Sequence, residues 1–316
     1  MARPLNSPQR HVPLCEVAGL PADPADPRTH SMLGAHAADP ASTQCPYRGD
    51  SGAGEESRCL KVSSTNPLPV CSLFENGDPE RPVAISCPNR FLQNGTVFNQ
   101  IEADLLPKKQ AGDTTVWISE VAIPAQGSLR GILGQCDYVA VRADAHGNVR
   151  GFVSVEIQSV YAGGSTRKAF SMLGDSRESQ ATIDWSQLGR SYPRPDFLSS
   201  WKRIKYQLLE KGTGLTQTVV GHDGVPVPIK QALVVDSWFL SQVRAKAGHD
   251  LTSVDPEVSD FAIYACALPV TENGLRVLTI NEVVRTSFSQ IQALASVCAP
   301  ADLQRMISAL ARHVTS

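Results

Sequence analysis

Apolar and polar residues alternate along Phe152–Val160 (FVSVEIQSV). Val153, Val155 and Ile157 fall on one side and Ser154, Glu156 and Gln158 on the other, which is the period of a β-strand. Phe261–Val270 and Leu275–Ile280 predict further strands from their β-branched and apolar content. Elsewhere the period lengthens. Phe197, Trp201, Ile204 and Leu208 recur at helical spacing, with Asp196 placed to cap the start and Gly212 the end. A second helix is predicted over Ser237–Ala247, closed by Gly248, and a last one carries Leu303, Met306, Ile307 and Leu310 on one face. Residues 91–316 therefore read as one mixed α/β domain.

The first 90 residues lack these periods. Residues 1–40 are rich in Pro, Ala and Asp (PADPADPRTH) and read as a flexible tail. Residues 41–90 contain Cys45, Cys59, Cys71 and Cys87 among Gly, Ser and Glu turns, with little apolar material, so a bound metal is expected to hold this small module together.

Composition narrows the class. The chain has 316 residues, 42% hydrophobic and 19% charged, enough for a sizeable core. A formal net charge of -2 argues against a non-specific nucleic-acid coat, although a basic cleft can sit on an acidic body. No apolar run is long enough to span a membrane, and the N-terminus lacks the apolar centre of a secretory signal, so a cytoplasmic, reducing setting is expected. There, eight cysteines suit metal binding or burial better than disulfides. Cys136, Cys266 and Cys298 sit in apolar surroundings, as packing residues do.

Two groups of residues suggest chemistry. Four thiolates favour Zn²⁺ or a single iron in a tetrahedral cage, yet Cys45, Cys59, Cys71 and Cys87 are spaced singly, so four unrelated buried thiols remain an alternative. Asp137, in GQCDYVAV, precedes Glu156-Ile157-Gln158. An Asp on one strand and a Glu-x-Lys-like pair on the next would put both acids and the third residue around one phosphate, with Mg²⁺ held by the carboxylates. Gln158 stands where lysine is commoner, and Glu120, in WISEVAIP, is a further acid that could complete the site. The plainer alternative is that Glu156 is a solvated residue on the outside of a half-exposed strand. Lys202, Arg203 and Lys205 on the predicted helix, and Arg167 and Lys168 after the strand, are candidates for DNA phosphate contact, with a solvated surface as the alternative.

Taken together and in order, these segments resemble the NotI family of type II restriction endonucleases. STQCPY, ESRCLKV, Cys71 and SCPNR resemble the family's four-cysteine iron motif, and GFVSVEIQS its active-site strand. SSWKRIKYQLL resembles the helix that follows, and FAIYACALP then LRVLTINEVV keep the order of the late elements. The resemblance implies a restriction-endonuclease-like core, with a central mixed sheet flanked by helices, plus a small four-cysteine module. It implies a variant PD-(D/E)xK site of Asp137, Glu156 and Gln158, with Glu120 aligning less closely, catalytic Mg²⁺, and one structural iron on the four cysteines. It further implies a homodimer on double-stranded DNA, a GC-rich palindromic target and a companion methyltransferase. The rival readings are a metal-stabilised DNA-binding protein without catalysis, a nuclease of the same fold with another role, and an interaction protein that uses the cysteine module as a scaffold.

Overall fold

The structure is a computed structural model that describes residues 12–48, 58–59, 61, 68–124, 132–179, 183–215, 219–221, 224–247, 254–255, 259–292 and 310. It is an α/β protein built on a mixed six-stranded sheet. The strands are β5 (Thr114–Pro124), β6 (Ile132–Ala143), β7 (Val149–Ile157), β12 (Ile229–Asp236), β13 (Phe261–Ala267) and β14 (Thr279–Thr286). Their spatial order is β14-β13-β12-β7-β6-β5, and the short strands between β7 and β12 pair separately, β8 (Tyr161–Gly163) with β9 (Arg194–Asp196) and β10 (Val219–Val220) with β11 (Pro226–Val227). β12 runs parallel to both β7 and β13, and the remaining pairs are antiparallel.

A strand covered on both faces reads as a nearly continuous apolar run, as β13 and the Ala232–Val235 stretch of β12 do. One face of the sheet packs on α2 (Thr96–Leu105) through Val97, Ile101 and Leu105, which meet Val153, Val155, Ala232 and Val234. The opposite face packs on α4 (Phe197–Leu215) and α5 (Ser237–Ala247), where Ile204, Leu208, Trp238 and Phe239 meet Leu233, Val235 and Ile263. α5 spans the predicted residues. Asp236 starts it by accepting the Phe239 N–H (2.6 Å) on one carboxylate oxygen, while the other accepts the Ile85 N–H (2.8 Å).

Several predicted ends move. The strand expected to run to Val160 stops at Ile157, the one expected over Phe261–Val270 stops at Ala267, the one expected over Leu275–Ile280 forms later as Thr279–Thr286, and α4 passes through Gly212 to Leu215. Gly212 is a point of close approach rather than a stop, since a Cβ there would come within 2.0 Å of the Phe288 ring in α6 (Phe288–Gln292). Of the predicted last helix, only Leu310 is among the described residues, and it is buried. Gly248 and Cys298 also lie outside them.

A second sheet of four strands, ordered β2-β1-β3-β4, joins β1 (Leu14–Val17), β2 (Leu20–Pro21), β3 (Val70–Phe74) and β4 (Val83–Ile85). Part of the expected tail is thus a buried strand, followed by α1 (Pro27–Ala38), and residues 1–11 lie outside the described residues. The physical reason is a long-range partner. Arg90 of the CPNR motif is 0% exposed and pairs with Glu16, 1% exposed, at 3.2 Å across 74 positions. The Ser72 hydroxyl donates to the same carboxylate (2.8 Å), Arg90 donates to the Arg276 carbonyl (2.9 Å), and the guanidinium lies 4.5 Å from the centre of the Tyr47 ring. α3 (Thr166–Ser179) packs against this sheet, with Ala169, Phe170 and Leu173 meeting Leu14, Val70 and Leu73. The pairing of β1 with β3 crosses the division expected at residue 40, and the Ile85–Asp236 bond crosses the one expected at residue 90.

Removing one partner of a buried ion pair strands the other charge. Glu16→Ala is therefore expected to lower the unfolding free energy by about 3–5 kcal/mol, measured by urea denaturation. A loss within ~0.5 kcal/mol would return the N-terminal strand to the status of a dispensable tail.

Candidate active site

Antiparallel pairing of β6 with β7 sets Tyr138 opposite Val155, which carries Asp137 and Glu156 to the same end of neighbouring strands. Asp137 is half-buried, and its Oδ2 accepts the Ile157 N–H at 2.7 Å. The carboxyl is thereby fixed against the strand that bears Glu156. As the alternation predicts, Val153 and Val155 enter the core on the α2 face while Glu156 turns toward α4. Glu156 is not on an outer, wetted face: it is 7% exposed and Gln158 is 4% exposed.

Burial, opposed by the nearby Lys211, and with the negative Asp137 adding to it, pushes the Glu156 carboxyl up to about 7. Lys211, from the last turns of α4, donates to both Glu156 oxygens at 2.9 and 2.8 Å and also to the Gln135 carbonyl. Sequence reasoning missed this residue. Its signal was available: Lys211 continues the stripe of Phe197, Trp201, Ile204, Leu208 and Leu215 that α4 turns inward, and it is the one charged member of that stripe. Ending the helix at Gly212 hid it.

Glu120 stands on β5 between the pairs Ser119–Tyr138 and Val121–Cys136, which sets it across from Asp137. It is exposed and adopts φ 53°, a left-handed conformation costly for a side chain of this kind and concentrated at functional sites. Gln158 lies just past β7, where its N–H bonds to the Val234 carbonyl (2.9 Å) and its amide nitrogen donates to the Ser159 carbonyl. A cavity of about 1100 Å³ lies elsewhere, lined in part by Leu14, Asp23, His30 and Trp185. It takes no wall from Asp137 or Glu156, as expected if the site works on an open groove.

Of the basic candidates, Lys202 and Arg203 are exposed on α4 and Lys205 is half-buried. Arg203 donates to the Tyr161 hydroxyl and lies 5.8 Å from the centre of its ring, and its charge acts on Glu156, so it borders the acids. Arg167 and Lys168 are exposed in the first turn of α3.

Cys45, Cys59, Cys71 and Cys87 converge with Tyr47 in one buried cluster, although their spacing is irregular. Burial raises the thiols of Cys59, Cys71 and Cys87. Lys61, half-buried, lies within their electrostatic reach and donates to Ser86 Oγ (3.1 Å). Soft thiols meeting in one place are a donor set of the right chemistry for iron or zinc. Yet among the described residues no group of three or more His, Cys, Asp or Glu side chains is disposed to hold a metal ion.

The family model for restriction endonuclease NotI matches residues 33–251, a span that runs from α1 through the cysteine cluster, both acidic strands and α5. The chain belongs to the NotI restriction endonuclease family. A search of curated proteins gave no match. Family membership makes the chain a restriction endonuclease by kinship, a DNA-binding nuclease, and the matched span contains Asp137, Glu156 and Lys211. Among the described residues no helix is long and apolar enough to cross a membrane.

The Asp137 contact yields a direct test of how the site is assembled. Asp137→Asn keeps an oxygen to accept the Ile157 N–H and is expected to alter stability by under ~1 kcal/mol, whereas Asp137→Leu leaves that N–H unpaired at a cost of about 1–3 kcal/mol. Thermal unfolding of the two variants side by side decides it, and equal losses would show that the hydrogen bond contributes nothing.

Proposed function

We propose that the chain is a type II restriction endonuclease that hydrolyses double-stranded DNA within a specific, GC-rich palindrome. Residues 91–316 carry the nuclease as a PD-(D/E)xK variant. The observation that carries the reading is the convergence of Asp137 and Glu156 on neighbouring central strands, inside the span matched by the family. The negative Asp137 adds to the proton affinity of Glu156 on the next strand, an arrangement that calls for a cation.

Their oxygens suit Mg²⁺, which prefers few carboxylates and keeps several waters. Asp137 and Glu156 would hold the ion, with the Ile157 carbonyl as a further oxygen and Glu120 alongside. When bound, Mg²⁺ neutralises charge on the scissile phosphate and lowers the pKa of a water. The chain's own residues fix the geometry. The Ile157 N–H holds Asp137 to the strand, and the buried position of Glu156 excludes bulk water from its carboxylate. Gln158 cannot take a proton, because an amide does not titrate usefully, so its part is to orient phosphate or water by hydrogen bonding. Lys202, Arg203, Lys205, Arg167 and Lys168 supply phosphate contacts that set the duplex in register.

A palindrome is read by a two-fold assembly, hence a homodimer. A host carrying such an enzyme needs its own sites guarded, hence a companion methyltransferase. We assign the four cysteines a structural iron, with zinc as the alternative, on the chemistry of their convergence.

The test is a digest of GC-rich genomic DNA with Mg²⁺, followed by sequencing of the ends, with Glu156→Gln in parallel. The wild type is expected to give discrete ends sharing a palindromic motif, and the variant to lose cleavage by about 10²–10³-fold or more while retaining DNA binding. Binding without strand breaks in the wild type would instead establish a non-catalytic DNA-binding protein. For the cysteine cluster, elemental analysis is expected to find close to one iron or zinc per chain, lost together with the fold in Cys71→Ser. Metal-free protein that keeps its fold would remove the assignment.

A further inference from the structure

We infer that Lys211, delivered from helix α4, is the catalytic lysine that the strand motif lacks, a conclusion that rests on the nuclease reading above. The strand carries Gln158 at the place where a cation would serve the phosphate, so the motif contributes two acids and no positive charge. Lys211 restores it from 55 positions away, with its Nζ 2.8 and 2.9 Å from the two oxygens of Glu156 and bonded to the Gln135 carbonyl, two residues before Asp137. One ammonium thus bridges the two strands that bear the acids.

The surroundings are shaped for it. The lysine stem crosses β6 at Gly134, where an added Cβ would lie 3.1 Å from Lys211 Cε. The next residue of α4 is Gly212, pressed under the Phe288 ring, and its carbonyl accepts from the Gln231 side chain (3.3 Å). The turn that presents Lys211 is therefore fastened on two sides, the rigidity that a working group requires. Burying an ammonium carries a desolvation cost that its ion pair only offsets, and a leucine or methionine here would continue the apolar stripe of α4 without that cost. Packing alone gives no reason for the charge.

In hydrolysis the oxygen of water bonds to phosphorus and one P–O ester bond breaks. The leaving oxygen takes up a proton, and the attacking water releases one to solvent. This proton balance draws nothing from Lys211. Beside Glu156 its ammonium donates to the non-bridging phosphate oxygen that gains negative charge as the new bond forms, an electrostatic contribution of the kind that dominates such sites.

The experiment uses the full chain and the DNA fragment on which wild-type ends are found. It measures single-turnover cleavage in Mg²⁺, DNA binding in Ca²⁺ and thermal unfolding. Lys211→Met is expected to slow cleavage by about 10²–10³-fold with DNA binding within a few-fold of wild type. Lys211→Arg, which keeps the charge and the ion pair, covers the case in which the methionine variant folds poorly, and it is expected to retain intermediate cleavage. The decisive variant is Gln158→Lys combined with Lys211→Met, which puts the ammonium back on the strand beside Glu156 and is expected to recover at least ten-fold of the lost rate. A merely structural lysine would not be replaced this way, so absence of rescue in a folded double variant overturns the inference. Wild-type-like cleavage by Lys211→Met, with Glu156→Gln inactive, overturns it while leaving the nuclease reading intact. A wild type that cuts no DNA overturns both.

Discussion

Burial of Glu156 on a strand covered from both faces is the constraint around which the site is organised. A carboxylate in that position is unfavourable unless something nearby is positive or donates hydrogen bonds. The sheet supplies the opposite, because its neighbour on β6 is a second carboxylate, Asp137. Helix α4 resolves the conflict by turning Lys211 inward from a stripe that is otherwise apolar. The same helix bears Arg203 close enough to act on Glu156, so one element covers the apolar face of the sheet and neutralises its acids. The close approach of Gly134 to the lysine stem and of Gly212 to Phe288 follows from that docking, since each allows α4 to come closer than a side chain would permit.

A second pair of buried charges fastens the N-terminal strand β1 to the turn after Cys87. Glu16 and Arg90 neutralise one another with both side chains withdrawn from water; Ser72 donates to the carboxylate, while Tyr47, Gln93 and the Arg276 carbonyl lie against the guanidinium. Such a pair contributes less to net stability than its geometry suggests, because desolvation offsets the attraction, but it strongly disfavours any arrangement that leaves one member unpaired. The consequence is positional. The strand bearing Glu16 pairs with the strand bearing Cys71, and the turn after Cys87 presents Arg90, so the cysteine cluster forms beside the main sheet. Asp236 strengthens the connection by holding the Ile85 amide while capping α5.

Local patterns carried well wherever a segment's fate depends on its immediate neighbours. The alternation over Phe152–Ile157 identified both the strand and the side on which Glu156 lies, and the helical stripe starting at Phe197 identified the face of α4 that meets the sheet. The limits of α5 were readable because Asp236 and the apolar run after it are adjacent in the chain. Errors arose where the deciding partner is distant. Gly212 reads as a helix stop until Phe288 is brought above it, and Leu14–Val17 reads as part of a polar tail until Arg90 and Val70 arrive.

By itself the sequence determined the periodicities, the inward faces of β7 and α4, the supply of acids, bases and thiols, and the resemblance to the NotI family that the matched span then established. Those properties are local or are summed over many positions, so they survive without knowledge of which segments meet. Tertiary structure alone decided that Asp137 is fixed by the Ile157 amide, that four irregularly spaced cysteines share one buried cluster, and that the positive charge beside Glu156 comes from Lys211. Each of these depends on contacts between residues separated by tens of positions, set by strand register and helix docking. No local signal encodes them, because it is the burial of the whole apolar surface that selects the arrangement in which they occur.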